Sequence, residues 1–192
     1  MNGVRCCAVA GALALTAAVA GCLSAAAKSR DGSFEVRRAE ESVVLYTIHR
    51  GPLDQVSSTV QQLMAMAAQK GLMPRGAVSF MYLNNQELTP SAHWLTEIRI
   101  PVSDNALKLA GTLGTFTDVK KLAPVDVAVA TKPEGMANPG PVYRKLFPWL
   151  LANGYVPLEG TREVFLTNAQ TNDYSKMRTQ IMVPVRKIPR IE

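Results

Sequence analysis

Two short segments 83 residues apart carry the residues best suited to chemistry: Thr96-Glu97-Ile98-Arg99-Ile100-Pro101-Val102 and Thr179-Gln180-Ile181-Met182-Val183-Pro184-Val185. Both read as strands, whose side chains alternate between faces. Thr96, Ile98 and Ile100 then share one face, as do Thr179, Ile181 and Val183, and these apolar sets are expected to cover helices. The opposite face carries Glu97 and Arg99 in one segment and Gln180 and Met182 in the other. The preceding strands are expected to add Phe80 with Tyr82, and Glu163 with Phe165, to that second face. Rings supply contact area and cation–π attraction, and a carboxylate supplies charge, so a face of this composition suits a cavity for an apolar molecule that can carry positive charge. The expected ligand-binding set is therefore Phe80, Tyr82, Glu97, Glu163, Phe165, Gln180 and Met182.

Each of these residues also has a plainer reading. Glu97 can form a salt bridge with Arg99 or another base on a solvated sheet face, Glu163 can be a surface carboxylate, and Tyr82 and Phe165 can be core. No residue is assigned a catalytic role; a hydrolase with Glu97 or Glu163 as general base beside Tyr82 is the enzymatic alternative. The two histidines, His49 and His93, have no second His, Cys or carboxylate at ligand spacing, so no metal site is expected. They are the only imidazoles available to the remaining alternative, haem binding.

The elements that must position these residues come from an internal repeat. At one offset of 83, Gly71 recurs as Gly154, Pro74 as Pro157, Leu83 as Leu166, Asn85 as Asn168, Thr96 as Thr179, Ile98 as Ile181 and Pro101 as Pro184, with Tyr82 matched by Phe165. Two copies mean a pseudo-two-fold duplication rather than a solenoid. Each copy opens on a β-rich run, SVVLYTIH from Ser42 and VDVAVAT from Val125. Gly51-Pro52 and Gly140-Pro141 follow, then apolar residues at helical spacing: Val56, Val60, Leu63 and Ala67 in the first copy, Val142, Leu146, Trp149 and Leu150 in the second. Strands at about 78–83 and 95–102, and at about 162–167 and 178–185, complete two β-α-β-β units, with an earlier strand at Phe34 to Arg38. The expected class is α+β, an antiparallel sheet with both helices on one face and the repeat halves at about 34–105 and 120–187.

Composition fits one domain of this kind after an export signal. The chain has 192 residues, a formal charge of +6 and three cysteines, Cys6, Cys7 and Cys22, all near its start. Arg5 followed by the apolar run Cys6 to Ala20 has the layout of a secretory signal. Val19-Ala20-Gly21-Cys22 places small residues before a nucleophilic sulfur, the pattern of a bacterial lipobox, and makes Cys22 the expected lipidated first residue of the mature chain. Cleavage after Ala25-Ala26-Ala27 and an uncleaved anchor are the alternatives. The expected division is a signal at 1–21, a tether at 22–33 and a domain at 34–192. Leu23 is not the Asp that marks inner-membrane retention, so a lipid anchor in the outer membrane, periplasmic side, is the favoured location. Removing the first 21 of 192 residues leaves 171 and takes away only the charge of Arg5. A mildly basic, exported domain without a basic helix is a poor nucleic-acid binder.

The ordered set His49-Arg50-Gly51-Pro52, Gly140-Pro141-Val142-Tyr143, Trp149-Leu150, Asn153-Gly154-Tyr155, Arg162-Glu163-Val164-Phe165-Leu166 and Thr179-Gln180-Ile181-Met182-Val183-Pro184 resembles the GyrI-like small-molecule-binding domain, found also as the effector-binding domain of AraC-type and MerR-type regulators. The resemblance covers about residues 34–187. It implies two β-α-β-β modules with an apolar ligand cavity between them, often holding a carboxylate that favours cationic molecules. The family commonly has Glu where this chain has Gln180, which implies that charge has moved to Glu97 or Glu163 and puts in doubt the hydrolysis some members carry out. A second resemblance, through Phe34-Glu35-Val36-Arg37-Arg38, is to the SOUL haem-binding family.

Overall fold

A computed structural model describes residues 34–166, 174 and 177–189. The signal, the tether and Cys22 lie outside the described residues, as does Asn168 of the repeat. Among the described residues nine strands form in chain order: β1 (Phe34–Ala39), β2 (Ser42–Arg50), β3 (Ser79–Tyr82), β4 (Leu95–Val102), β5 (Thr117–Leu122), β6 (Val125–Lys132), β7 (Tyr155–Pro157), β8 (Arg162–Phe165) and β9 (Thr179–Lys187). Helix α1 spans Val56–Gln69 and α2 Gly140–Ala152. All described pairings are antiparallel, and the sheet runs β1-β6-β9-β8-β3-β4-β2-β5, with β7 pairing β9 off this path. The result is a curled α+β half-barrel.

The duplication expected from the sequence is carried into the pairing. β3 and β8 occupy the same repeat positions, 83 residues apart, and pair with each other at the centre of the sheet. β5, which the sequence pattern did not reveal, is the repeat counterpart of β1. Each pairs with the first strand of the other copy: β1 with β6, and β5 with β2. Phe34↔Ala130 becomes Thr117↔Thr47 under the same offset. The second structural copy therefore begins at Thr117, slightly before the boundary of 120 read from the sequence. The three-residue β7 was also not anticipated; it is too short to show a periodicity of its own.

Both helices pack on one sheet face. Val56, Val60, Leu63 and Ala67 of α1 meet Leu45, Ile98 and Ile100, and Leu146 and Leu150 of α2 meet Ala128, Ala130, Ile181 and Val183. Each buried aliphatic side chain contributes on the order of 1.5–3 kcal/mol of hydrophobic stabilisation. Trp149 is only partly buried and leans on Phe34, ring centroids 5.6 Å apart. Gly71 (φ 66°) and Gly154 (φ 74°) follow the two helices in the left-handed region, which a Cβ-bearing residue resists, and so end both helices at equivalent places.

Candidate ligand-binding site

The strand register divides the expected site residues between two faces. Phe80 pairs with Ile98 and Tyr82 with Thr96, so both rings lie on the helix-covered face and not with Glu97 and Arg99. Likewise Glu163 pairs with Ile181 and Phe165 with Thr179. Grouping all seven residues on one face is thus corrected: alternation within each strand was read properly, but a shift of one residue in the relative register of neighbouring strands moves a whole set to the other face. Phe80, Tyr82, Glu163 and Phe165 come together; Glu97, Gln180 and Met182 lie behind the sheet.

On the helix face, the row across β4-β3-β8-β9 reads Ile98, Phe80, Glu163, Ile181. Repeat equivalence matches Ile98 with Ile181 and Phe80 with Glu163. A symmetric row would be wholly apolar, and Glu163 alone breaks it. The side chain is nearly fully buried, at 4% exposure. Its carboxylate accepts hydrogen bonds from Tyr82 Oη at 3.3 Å and Tyr143 Oη at 3.4 Å, both long for O–H···O contacts. Burial pushes the Glu163 carboxyl above its ordinary range, partly opposed by the Tyr82 hydroxyl, the Lys132 ammonium and the Tyr143 hydroxyl. The two phenols are pushed up, first by burial and then by the adjacent carboxylate, so they remain donors.

These groups line a cavity of about 1010 Å³ that draws on both halves of the chain, at the upper end of the size of small-molecule sites. Phe80, Phe165 and Tyr174 form one wall, with ring centroids 4.5 to 5.1 Å apart. Trp94 and Tyr143 form others; Trp94 Nε1 donates to Thr89 O at 2.8 Å, leaving the indole face for contact. Lys132, the repeat counterpart of His49, reaches the cavity but donates to the carbonyls of Met136 (2.7 Å) and Met177 (2.8 Å). Gln86 also lines it, and its buried Nε2 has no hydrogen-bond partner. Trp94, Lys132, Tyr143, Tyr174 and Gln86 were missed from the sequence: Tyr143 was seen only as part of a Gly-Pro helix start, and the others stand on loops or at a strand end without periodicity.

Behind the sheet, Glu97 Oε1 accepts from Arg99 Nε at 2.5 Å and from Lys120 Nζ at 2.6 Å. This is the salt bridge of the plainer reading, yet Glu97 is buried, not solvated. Gln180 accepts from Arg37 at 3.0 Å, and Met182 packs with Val127 and Val129. His49 holds Thr59 and the Pro52 carbonyl, His93 contacts Arg50, and neither lines the cavity. Among the described residues no group of three His, Cys, Asp or Glu could hold a metal, and no helix is long and apolar enough to cross a membrane.

This duplicated curled sheet has parallels among solved structures. The C-terminal domain of EcmrR matches with a TM-score of 0.61 at 16% identity, over 81% of this chain and 98% of that domain. In the EcmrR–DNA complex the chain spans 57% of the EcmrR chain, with a TM-score of 0.62 at 16% identity and 81% coverage of this chain. A hydrolase from Listeria innocua matches with a TM-score of 0.61 at 14% identity, over 80% of this chain and 92% of that one. The fold is GyrI-like. No protein-family model matches the sequence, and no curated protein matches it.

Proposed function

We propose that this protein binds a lipophilic cation in the helix-face cavity, with Glu163 as counter-charge and Phe80, Tyr82, Tyr143 and Phe165 as walls, and that Cys22 carries a lipid that fixes it to the bacterial cell envelope. The observation that carries the first part is the lone carboxylate in the apolar row Ile98-Phe80-Glu163-Ile181, opening onto an aromatic cavity. A buried, under-satisfied carboxyl lowers stability, so its placement at the one asymmetric position of the row is explained by a ligand that bears the opposite charge. The likeness of the fold to the EcmrR C-terminal domain supports a binding module. Export and lipidation rest on Arg5, the apolar run and Val19-Ala20-Gly21-Cys22.

Calorimetry with a tetraaryl phosphonium cation and, as its neutral counterpart, a triaryl phosphine oxide tests the site. The cation is expected to bind the more tightly, and Glu163→Gln to weaken it by about thirtyfold or more, as for truncation of one partner of a desolvated charge pair. Equal affinity for both probes, or no effect of Glu163→Gln, sinks the assignment. Cation affinity should rise with pH as Glu163 deprotonates, because only the carboxylate attracts the ligand. For the anchor, labelled palmitate should enter the wild-type chain and not Cys22→Ala, which should leave the membrane fraction.

A hydrolytic reading is favoured by one feature: a carboxyl that burial holds above its ordinary range stands beside two phenol donors, where it is placed to give or take a proton. Product formation from electrophilic hydrophobic compounds that disappears in Glu163→Gln would favour it over simple binding.

A further inference from the structure

We propose that the sheet face opposite the cavity holds a second site, for a small oxyanion such as a carboxylate or phosphate, centred on Arg162 and completed by Arg37. The two copies of the repeat treat this face differently. In the first, Glu97 sits between Arg99 and Lys120 and gives both of them one shared carboxylate oxygen as acceptor. The equivalent position in the second is Gln180, an amide. Its carbonyl takes one bond from Arg37 at 3.0 Å but brings no charge. Among the described residues the carboxylate paired with Arg37 is Glu35, at 4.0 Å and nearly half exposed.

Arg162 is left between them. It stands on β8 diagonal to Gln180, since Val164 pairs with Gln180 and Arg162 with Met182. Such diagonal neighbours lie within reach of long side chains. Among the described residues its guanidinium has no hydrogen-bond acceptor or ion-pair partner, and the charges that act on it are the like charges of Arg99 and Arg37. It is partly buried and Arg37 is exposed, so the group opens to solvent. Arg37 and Arg162 both flank Gln180, one through the hydrogen bond to its carbonyl and the other as its diagonal neighbour on β8, and two guanidinium groups around an uncharged amide supply a forked donor set matched to a planar or tetrahedral oxyanion. Burial and both neighbouring arginines disfavour the charged form of Arg162, and a bound anion reverses that penalty. Because Arg162 and Glu163 are consecutive on β8 and point to opposite faces, this site is separate from the cavity and does not depend on the reading given to it.

Thermal denaturation and calorimetry of the mature-length protein with sodium phosphate or succinate as probe, against sodium chloride at equal ionic strength, read the site directly. The oxyanions are expected to raise Tm beyond the chloride control. Arg162→Met should reduce the affinity by about tenfold or more. Gln180→Glu should abolish the oxyanion effect while raising Tm in its absence, because the chain then supplies its own carboxylate. An equal response to chloride in the wild type, which marks general screening, overturns the proposal. So does a response that survives Arg162→Met, or a Gln180→Glu protein that is no more stable than wild type and still responds. A result with succinate alone identifies a carboxylate ligand, and one with phosphate alone a phosphate; either supports the site.

Discussion

Glu97 and Glu163 are equally buried, at 4% exposure each, on opposite faces of one sheet, and they illustrate two different uses of a buried charge. Glu97 is surrounded by cations: Arg99 and Lys120 both reach the same oxygen. Glu163 lies among rings, and from the described residues it receives two long phenol hydrogen bonds and the field of the Lys132 ammonium. A carboxylate with its partners built in is a structural element. One for which burial outweighs its partners is held at a loss by the rest of the fold, and a cavity beside it gives that loss a use. Removing each carboxylate should therefore act on stability with opposite sign.

The largest effect is expected at Glu97. Glu97→Gln leaves the buried Arg99 guanidinium without its counter-charge, and breaking one side of a buried pair typically costs about 3 kcal/mol or more. Denaturant unfolding should show a clear fall in midpoint with little change in slope. A near-neutral result would show that Arg99 is satisfied through Met81, whose sulfur lies 3.0 Å from its guanidinium, and would erase the contrast.

Glu163→Gln is expected to stabilise the ligand-free protein near neutral pH by on the order of 1 kcal/mol, since an amide carries no charge to desolvate. The pH dependence has a definite sign. The folded-state pKa of Glu163 lies above the ordinary 4.5. Between the two values the native state holds more protons than the unfolded chain, so this residue's contribution is full below about 4.5 and is lost as pH rises through the folded pKa. Wild-type stability minus that of Glu163→Gln should therefore fall across that window. A difference that rises instead would mean that Glu163 is stabilised as an anion, like Glu97.

The sheet that carries this contrast was largely legible in the sequence, the contrast itself was not, and the reason is physical. The offset of 83 exposed the duplication because the last strands are long and keep Thr, Ile and Pro at matching places. Alternation within those strands put Ile98 and Ile181 toward the helices, as the structure has them. The four-residue β3 and β8 are another matter. Their own periodicity fits either face, and their register against β4 and β9 is fixed only by tertiary pairing, so Phe80, Tyr82, Glu163 and Phe165 were placed with the wrong neighbours. Tyr143, which donates to Glu163 from α2, was hidden for a related reason: it stands in the Gly-Pro start of the helix, and which strand it faces is fixed only by tertiary packing. The partner of Glu97 that sequence could name was Arg99; Lys120 comes from β5, a strand whose charged sequence TDVKKL carries little apolar signal.

The smallest expected effect separates the two cations on Glu97. Lys120 is about one-third exposed and reaches Glu97 from the flank of the sheet, whereas Arg99 is buried beside it. The Lys120 ammonium also lies 4.2 Å from the centre of the Tyr46 ring. Solvent screens the charge of so exposed a group, and its stem remains to cover the ring in Lys120→Met, so this substitution should cost no more than about 1 kcal/mol. The double substitution with Glu97→Gln should then cost less than the sum of the two, because Lys120 has lost its acceptor already. Strict additivity would mean that Lys120 acts through Tyr46 alone. Glu97 would then be a one-cation pair, closer in kind to Glu163 than the distances to its two cations indicate.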